Sequence, residues 1–262
     1  MDRPSVAGRA VAGMLVALTL AITVTSCAPS PTTTYRADSG ETVTVDWADY
    51  PGHAGMDAAD VLRAPPAEEI RTVSASILGE IEAHLSDEFA LEWEDGPYGN
   101  EGRLYSPEGN GYGGESLYVT FNSGERESLG IPSRVEDWTR IMELISDVTS
   151  AHGLGALKRE TIDPERAAEN AERSGSDDPA AQWQWSGSAF GDSQWLSVSM
   201  NDIDRDRSGK AAGKIGVDDG WNPRSVQISY GATTLGSKDR VAFVDRIEPF
   251  EGLPLPKSTT SD

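Results

Sequence analysis

The stretch QWQWSGSAFGDSQWLSVSM, residues 182–200, indicates the fold more clearly than any other part of the chain. Polar and apolar residues alternate over 182–188 and again toward 200, with a Gly-Asp pair between the two runs. Successive side chains of a strand point to opposite faces, so this pattern predicts two half-buried strands joined as a hairpin. Trp183 and Trp185 share one face of the first strand. We expect this pair to lie in the core under a helix, and the alternative is an exposed platform for a carbohydrate.

Two amphipathic helices are predicted before this hairpin. The first covers 67–85 and follows a Pro-Pro pair, and its apolar residues recur at steps of three and four. The second covers 134–152, with Ser133 and Glu136 as a capping box and Gly153 as its left-handed end. Each helix has one apolar stripe, so each is expected to pack against a sheet.

Further strands are predicted from the same two-residue alternation. Helices packed against a run of antiparallel strands are typical of an α+β domain. We therefore expect two amphipathic helices on one face of a mainly antiparallel sheet, with a possible repeated helix–strand–strand unit. The additional predicted strands are 42–47, 89–93, 117–121, 226–230 and an edge strand at 241–247.

Composition divides the chain into four parts. Residues 1–26 resemble an export signal, and 27–60 are expected to be a lipidated cysteine and a flexible tether, because 28–41 are rich in Pro, Thr and Ser. Residues 61–250 are expected to form the globular domain. Residues 251–262, with two prolines and the ending KSTTSD, are expected to be a disordered tail.

The first residues carry the parts of a lipoprotein signal. Arg3 and Arg9 precede an apolar run over 10–23, and Val24-Thr25-Ser26-Cys27 resembles the bacterial lipobox. The resemblance implies cleavage before Cys27, a diacylglycerol on its sulfur and a place on the outer face of the cell membrane. The alternatives are an ordinary secretory signal or an uncleaved anchor.

Charge and cysteine content exclude several functions. The chain has 43 acidic and 22 basic residues and a net charge of −21. Such a surface repels nucleic acid, so no nucleic-acid partner is expected, and solubility explains the charge better than a site for a cationic ligand. Cys27 is the only cysteine. If it carries lipid, the domain has no disulfide, cysteine nucleophile or thiolate metal site.

The chain resembles the LppA-like envelope lipoproteins of actinobacteria. Beyond the lipobox, the resemblance rests on the first helix running into ALEWEDG, on the helix start VEDWTRIMELI before AHGLGA, and on the strand pair QWSGSAFGDSQWLSVSM. It covers residues 70–200 and implies an extracytoplasmic location and a fold. Members of that family carry cysteines in the exported domain, and this chain differs in having none there.

Two kinds of active site, a hydrolase site and a zinc site, have little support in the sequence. Gly191-Asp192-Ser193 is similar to the start of a GDS-type hydrolase motif, but no histidine follows it, so a hairpin turn explains it better. A zinc site would need three or four ligands. The three histidines, at positions 53, 84 and 152, have no partner at ligand spacing, and no cofactor or metal is expected.

Two further motifs each allow two interpretations. Asp202, Asp204 and Asp206 are similar to the start of a calcium loop, although the glycine and glutamate that should follow are missing. Pairing with nearby basic residues is the simpler interpretation. The glycine-rich segment 96–114 contains G-x-G-x-x-G at 109–114, but a strand rather than a helix follows it. We expect a loop whose tyrosines have an alternative role in contacting a glycan or lipid.

Taken together, the sequence predicts a non-enzymatic lipoprotein anchored to the membrane by its diacylglycerol. Its expected partner is another envelope component, either a protein, a lipid or a glycan. The alternative is an extracytoplasmic hydrolase or glycan-active enzyme that uses a pair of carboxylates.

Overall fold

The computed structural model describes residues 29–96, 102–106, 109–160, 168, 171, 176, 178–207, 209 and 222–259. These residues form an α+β fold with a mostly antiparallel sheet, as the sequence predicts. The helices are α1 (Ala58–Arg63), α2 (Ile70–Phe89), α3 (Val135–Ala151) and α4 (Ser237–Ile247). The strands are β1 (Thr32–Arg36), β2 (Thr42–Asp46), β3 (Trp93–Asp95), β4 (Arg103–Tyr105), β5 (Val119–Asn122), β6 (Arg126–Ser128), β7 (Lys158–Arg159), β8 (Gln184–Gly191), β9 (Gln194–Asp202) and β10 (Arg224–Thr234).

The main sheet has eight strands, and β10 lies at its centre. The order is β3-β6-β10-β9-β8-β7, and β5 pairs with the second half of β10 and with β4. All of these pairs are antiparallel. Strands β3–β6 follow α2 and β7–β10 follow α3, so a helix followed by strands occurs twice along the chain.

The predicted hairpin is the regular part of this sheet. β8 and β9 pair from Gln184 with Asn201 to Gly191 with Gln194. The turn between them places Asp192 at a φ of 53°, in the left-handed region that Asp tolerates better than most residues. The two-residue alternation and the Gly-Asp turn were therefore correct indicators of structure.

Helices α2 and α3 cover one face of the sheet. Ile77, Ile81 and Leu85 of α2 and Ile141 and Ile145 of α3 are buried in one cluster with alternate residues of β8, β9 and β10. Trp138 of this cluster is fully buried, and its ring meets that of Trp185 edge to face at 5.4 Å between centroids. Burial of this continuous apolar layer is the main stabilising contribution to the fold.

The N-terminal segment differs from the predicted tether. β1 and β2 form a separate two-stranded hairpin, and the chain after β2 brings Trp47 to a fully buried position. The Trp47 ring lies 5.0 Å from that of Phe250 and 5.4 Å from that of Tyr112. Residues 28–41 have few apolar side chains. The hairpin nevertheless packs on the rest of the protein, because Trp47 belongs to a second apolar cluster and Val43 packs against it.

The C-terminal segment also differs from the predicted disordered tail. Up to residue 259 it lies against the glycine-rich segment: the Tyr112 hydroxyl donates to the Pro256 carbonyl at 3.0 Å, and the Thr259 amide donates to the Gly111 carbonyl at 2.9 Å. Proline occurs in ordered extended segments as well as in disordered ones. Composition alone does not distinguish the two.

One predicted strand is helical, and another is mostly irregular. The segment 241–247 belongs to α4, where Phe243 and Ile247, four residues apart, are buried and Val241 is 70% exposed. The segment 89–93 is interrupted because α2 continues to Phe89. The left-handed residue Ala90 then ends the helix, with its amide donating to the Ser86 carbonyl at 2.8 Å.

The predicted capping box is also wrong. The residue before α3 is Arg134, one position later than the box requires, and its side chain makes no capping hydrogen bond. Glu136 and Asp137 instead lie in the first turn, where negative charge interacts favourably with the helix dipole. Gly153 has a φ of 79°, as expected for the end of the helix.

Candidate functional site

The sheet face opposite α2 and α3 is polar. Ser188 pairs with Ser197, and Ser197 pairs with Ser229, so three serines lie side by side across β8, β9 and β10. In the neighbouring row, Ser186 pairs with Ser199. All five serines are partly exposed, whereas the residues between them are buried. We call this surface the serine face; its members are Gln184, Ser186, Ser188, Phe190, Trp195, Ser197, Ser199, Asn201, Ser225, Gln227 and Ser229.

The five partly exposed serine hydroxyls make no side-chain hydrogen bond within the described part of the chain. None of them makes a hydrogen bond to another residue that the structure describes. Each hydroxyl offers one donor and two acceptor positions. Because neighbouring strands lie about 4.8 Å apart, the row presents these groups at a regular spacing. Such a row can hydrogen-bond several groups of one extended ligand.

One end of the serine face is aromatic. Trp195 pairs with Phe190 on one side and with Gly231 on the other. Its indole lies directly over Gly231, since a Cβ at that position would come within 2.2 Å of the ring. Trp195 is partly exposed and Phe190 is 72% exposed. The glycine therefore lets the indole lie flat on the sheet and offer its other face for stacking.

The other end of the serine face contains buried amides and hydroxyls. Asn201 is fully buried, and neither its Oδ1 nor its Nδ2 has a hydrogen-bond partner among the described residues. Its strand partner Ser225 is also fully buried, and its Oγ also has no such partner. A buried polar group without a partner costs about 1–3 kcal/mol. Because both residues are fully buried, these atoms are closed to a ligand from solution.

Three carboxylates lie at the β3–β6 edge of the same face. Glu127 is 1% exposed and accepts hydrogen bonds from the side chains of Gln227 at 2.9 Å and Asn222 at 2.7 Å. Glu94 pairs with Glu127 across the strands. Burial, together with the nearby charge of Glu127, raises the pKa of Glu125 above its ordinary value.

The structure places the predicted tryptophans in the core. Trp183 and Trp185 are both 6% exposed. The Arg159 guanidinium lies 3.6 Å from the centre of the Trp185 ring. The core interpretation of this pair is therefore confirmed. Trp195 is different, because it lies in the next strand and on the opposite face.

The aspartate motif forms a turn stabilised by an arginine. The Asp202 carboxylate accepts a hydrogen bond from the Asp204 amide at 3.2 Å and lies 3.5 Å from Nε of Arg224. Asp204 is exposed, and Asp206 ends the turn. Over the described ranges, no group of three or more His, Cys, Asp or Glu side chains is arranged to hold a metal ion. Residues 218 and 219, considered as late ligands, lie outside those ranges.

The hydrolase motif is a turn, as predicted. Asp192 accepts from the Arg63 guanidinium at 2.8 and 3.0 Å, which lowers the pKa of this carboxyl. The Ser193 hydroxyl is 2.8 Å from the Thr233 carbonyl and donates to it. It is therefore part of the hairpin packing. Histidine 152 pairs through Nε2 with Glu80 at 2.8 Å, and histidine 84 lies 4.0 Å from the same glutamate.

The glycine-rich segment is described only in part. Residues 97–101 and 107–108 lie outside the described residues, as does Cys27. Within the rest, residues 103–105 form β4, and Gly109 makes an isolated bridge with Glu115. Tyr112 is fully buried, so it contributes to the second core cluster, and Tyr105 is 43% exposed.

Comparisons with known proteins give no family for the chain: no protein-family model, curated protein or solved structure matches it. In the part of the chain that the structure describes, no helix is both long and apolar enough to cross a bilayer.

The serine face was not among the sites predicted from the sequence. Its signal is a serine at every second position, in Ser186 and Ser188 and again in Ser197 and Ser199. Only the cross-strand register shows that these serines form one row with Ser229.

Proposed function

We propose that the protein is a lipoprotein anchored through Cys27 on the outer face of the cell membrane, and that its serine face binds a neutral glycan of the cell envelope. The observation that carries the binding proposal is the row Ser188–Ser197–Ser229 of unused hydroxyls beside the flat indole of Trp195. A sugar ring has hydroxyls at its edge and an apolar face, so it complements both parts of this surface.

Charge favours a neutral ligand over an anionic one. Lys158 of β7 pairs with Ser188 and places one cation at the end of the serine row, whereas the chain as a whole has a net charge of −21. A polyanion would therefore meet repulsion that a single local cation offsets only in part. A neutral glycan loses nothing to this field and gains hydrogen bonds from the serines.

The lipid anchor rests on the sequence alone. Val24-Thr25-Ser26-Cys27 follows directly on the apolar run 10–23. Two acyl chains bury enough methylene groups, at about 0.8 kcal/mol each, for a stable attachment. This attachment would hold an acidic domain close to the glycans outside the membrane.

Affinity electrophoresis in gels containing dextran, mannan or galactan tests glycan binding. We expect at least one of these neutral polysaccharides to retard the wild-type domain. Trp195→Ala and the triple variant Ser188→Ala/Ser197→Ala/Ser229→Ala should migrate as in a gel without polysaccharide. Ser76→Ala, an exposed serine on α2 outside this face, is the matched control and should be retarded as the wild type is. Unretarded wild type, or equal retardation of the variants, would exclude the proposal.

Cell fractionation tests the anchor. Cys27→Ser removes the only sulfur able to take the diacylglycerol. The variant should be released from membranes or remain as an uncut precursor, and the intact mass of the wild type should include the lipid. Processing and membrane attachment unchanged by the substitution would contradict this part of the proposal.

One observation favours the alternative of a glycan-active enzyme. Glu125, with its raised pKa, lies near Glu127 at the edge of the serine face, and Glu94 pairs with Glu127. Glycoside hydrolysis needs a pair of carboxyl groups, one as acid and the other as base or nucleophile. Incubation with each polysaccharide should release no reducing ends if the protein only binds. Release that Glu125→Gln abolishes would favour the enzyme.

A further inference from the structure

A groove lies on the helix side of the sheet, between α2 and strands β5 and β6. Its volume is about 550 Å³, which is within the usual range for small-molecule sites. We call it the helix–sheet groove. Its main lining residues are Arg71, Ser74, Gly79, Glu82, Phe121 and Arg126. It is separate from the serine face, because Phe121 points to the helix side of the sheet.

Small residues keep the helix–sheet groove open. Gly79 is exposed in the middle of α2, and a Cβ there would meet no atom within 4 Å. On the sheet side, by contrast, a Cβ at Gly102 would come within 2.4 Å of the Phe121 ring. The sheet wall of the groove at Gly102 is therefore closely packed, whereas the helix wall at Gly79 borders free space. Glycine disfavours a helix interior, and no packing contact at position 79 requires it.

Two arginines line the groove although the protein is acidic. Arg126 is paired with Glu82 at 2.7 Å and also with Asp95. Arg71 has no carboxylate partner among the described residues; it donates to the Gly102 carbonyl and lies 5.6 Å from the centre of the Phe121 ring. The Arg71 guanidinium, at one end of the groove, is therefore the cation best placed to contact a negatively charged group of a ligand.

A second polar group in the groove has no partner. Ser74 is 3% exposed and lines the groove, yet its hydroxyl makes no hydrogen bond to any described residue. It lies one helical turn from Arg71, on the same side of α2. A serine hydroxyl and a guanidinium together can donate to both oxygens of a carboxylate. Leu78 and Phe121 form an apolar wall beyond them.

We propose that the helix–sheet groove binds a small molecule that carries one carboxylate on an apolar body. The carboxylate contacts Arg71 and Ser74, and the apolar body lies along Leu78 and Phe121 beside Gly79. This site is independent of the glycan proposal, since the two surfaces lie on opposite faces of the sheet. Trp195→Ala should leave it unchanged.

Titration of the full domain with octanoate, followed by protein NMR, tests the proposal. Octanamide has the same chain without the charge and is the matched ligand. We expect saturable shifts at α2 and β5 with octanoate, and binding of octanamide weaker by about tenfold or more, as for loss of one charged hydrogen-bonded contact. Inorganic phosphate, an anion without an apolar body, should not produce these shifts.

Variants then locate the site. Arg71→Gln should weaken octanoate binding by about tenfold without changing that of octanamide. Arg36→Gln, an exposed arginine in the N-terminal hairpin, is the matched control and should have no effect. Gly79→Leu fills the free space and should abolish binding of both ligands. Leucine favours a helix more than glycine does, so this variant is expected to fold; Ser76→Leu adds the same side chain to α2 outside the groove.

Three results would overturn the proposal. Octanoate without saturable shifts up to its solubility limit would show that the groove does not take this class of ligand. Equal binding of octanoate and octanamide, or equal binding by wild type and Arg71→Gln, would exclude the carboxylate contact. Octanoate binding that survives in Gly79→Leu would place the ligand elsewhere on the protein.

Discussion

The two faces of the main sheet use the same three strands in opposite ways. On one face, Leu196, Val198 and Met200 of β9 are buried under α2 and α3. On the other face, Ser197 and Ser199 of the same strand are partly exposed, and their hydroxyls make no hydrogen bond to any described residue. A two-residue period thus separates the packed face from the face proposed to bind a ligand, because a change on one face leaves the side chains of the other in place. The predictions below depend on this separation.

The largest difference is expected between two tryptophans on opposite faces. Trp138→Ala removes a fully buried ring and leaves a cavity against Trp185, so unfolding should become easier by about 3–5 kcal/mol. Trp195→Ala removes a partly exposed ring and should cost about 1 kcal/mol. Urea denaturation of both variants measures the two losses. Equal losses would mean that Trp195 contributes as much to the free energy of unfolding as the buried Trp138 does.

Gly231, which lies against the Trp195 ring of the serine face, is expected to be sensitive to a small added side chain. Gly231→Ala places a Cβ 2.2 Å from the Trp195 indole, which must move, at a cost of about 1–3 kcal/mol. In the double variant with Trp195→Ala, the alanine has no ring to displace. The two losses should therefore be clearly less than additive. Additive losses would show that the indole does not lie on Gly231.

Two buried serines should respond in opposite directions. Ser193→Ala removes the hydrogen bond from its hydroxyl to the Thr233 carbonyl and should cost about 1 kcal/mol. Ser225→Ala removes a buried hydroxyl that has no partner among the described residues, and should be neutral or stabilising by up to about 1 kcal/mol. Denaturation midpoints compare the two. A clear loss for Ser225→Ala would reveal a structural hydrogen bond at the buried end of the serine face.

The pH dependence of stability should distinguish Glu125 from Glu88. The pKa of Glu125 is raised by burial and by Glu127, so the folded protein holds that proton more tightly than the unfolded chain does. Its contribution is complete below the unfolded pKa of about 4.5 and is lost as pH rises through the folded value. Relative to Glu125→Gln, the wild type should therefore become less stable as pH rises above about 4.5.

Glu88 should behave in the opposite way. Its hydrogen bond with Arg140 lowers its pKa, so its contribution is present above the unfolded pKa and is lost as pH falls through the folded value. Relative to Glu88→Gln, the wild type should gain stability as pH rises through the acidic range. Urea denaturation at several pH values measures both slopes. The same sign for both glutamates would contradict the surroundings assigned to Glu125.

Local patterns in the sequence predict much of this fold. The hairpin of β8 and β9, the two long helices and the start of β10 follow from alternation, helical periodicity and a Gly-Asp turn, all of which act over a few residues. The strand predicted at 241–247 failed because its alternation also fits a helix with Phe243 and Ile247 on one side. Short apolar patterns do not distinguish the two structures.

Contacts between distant parts of the chain could not be predicted. The N-terminal hairpin is ordered through Trp47, whose ring meets Phe250 near the other end of the chain. The serine face likewise needs three strands in register, and Ser229 joins it only through the pairing of β10 with β9. Sequence periodicity gives the face of each residue within a strand, whereas register decides which residues of different strands become neighbours.

The most direct test of the serine face as a binding surface is an NMR titration that follows the indole N–H signals. Linear neutral hexasaccharides of glucose, mannose and galactose serve as ligands, and Trp195→Phe assigns the signal of that ring. We predict saturable shifts of Trp195 and of the Ser197 and Gly231 amides, with the fully buried Trp138 unchanged. Shifts confined to other surfaces, or no saturable shift with any of the three ligands, would contradict the account.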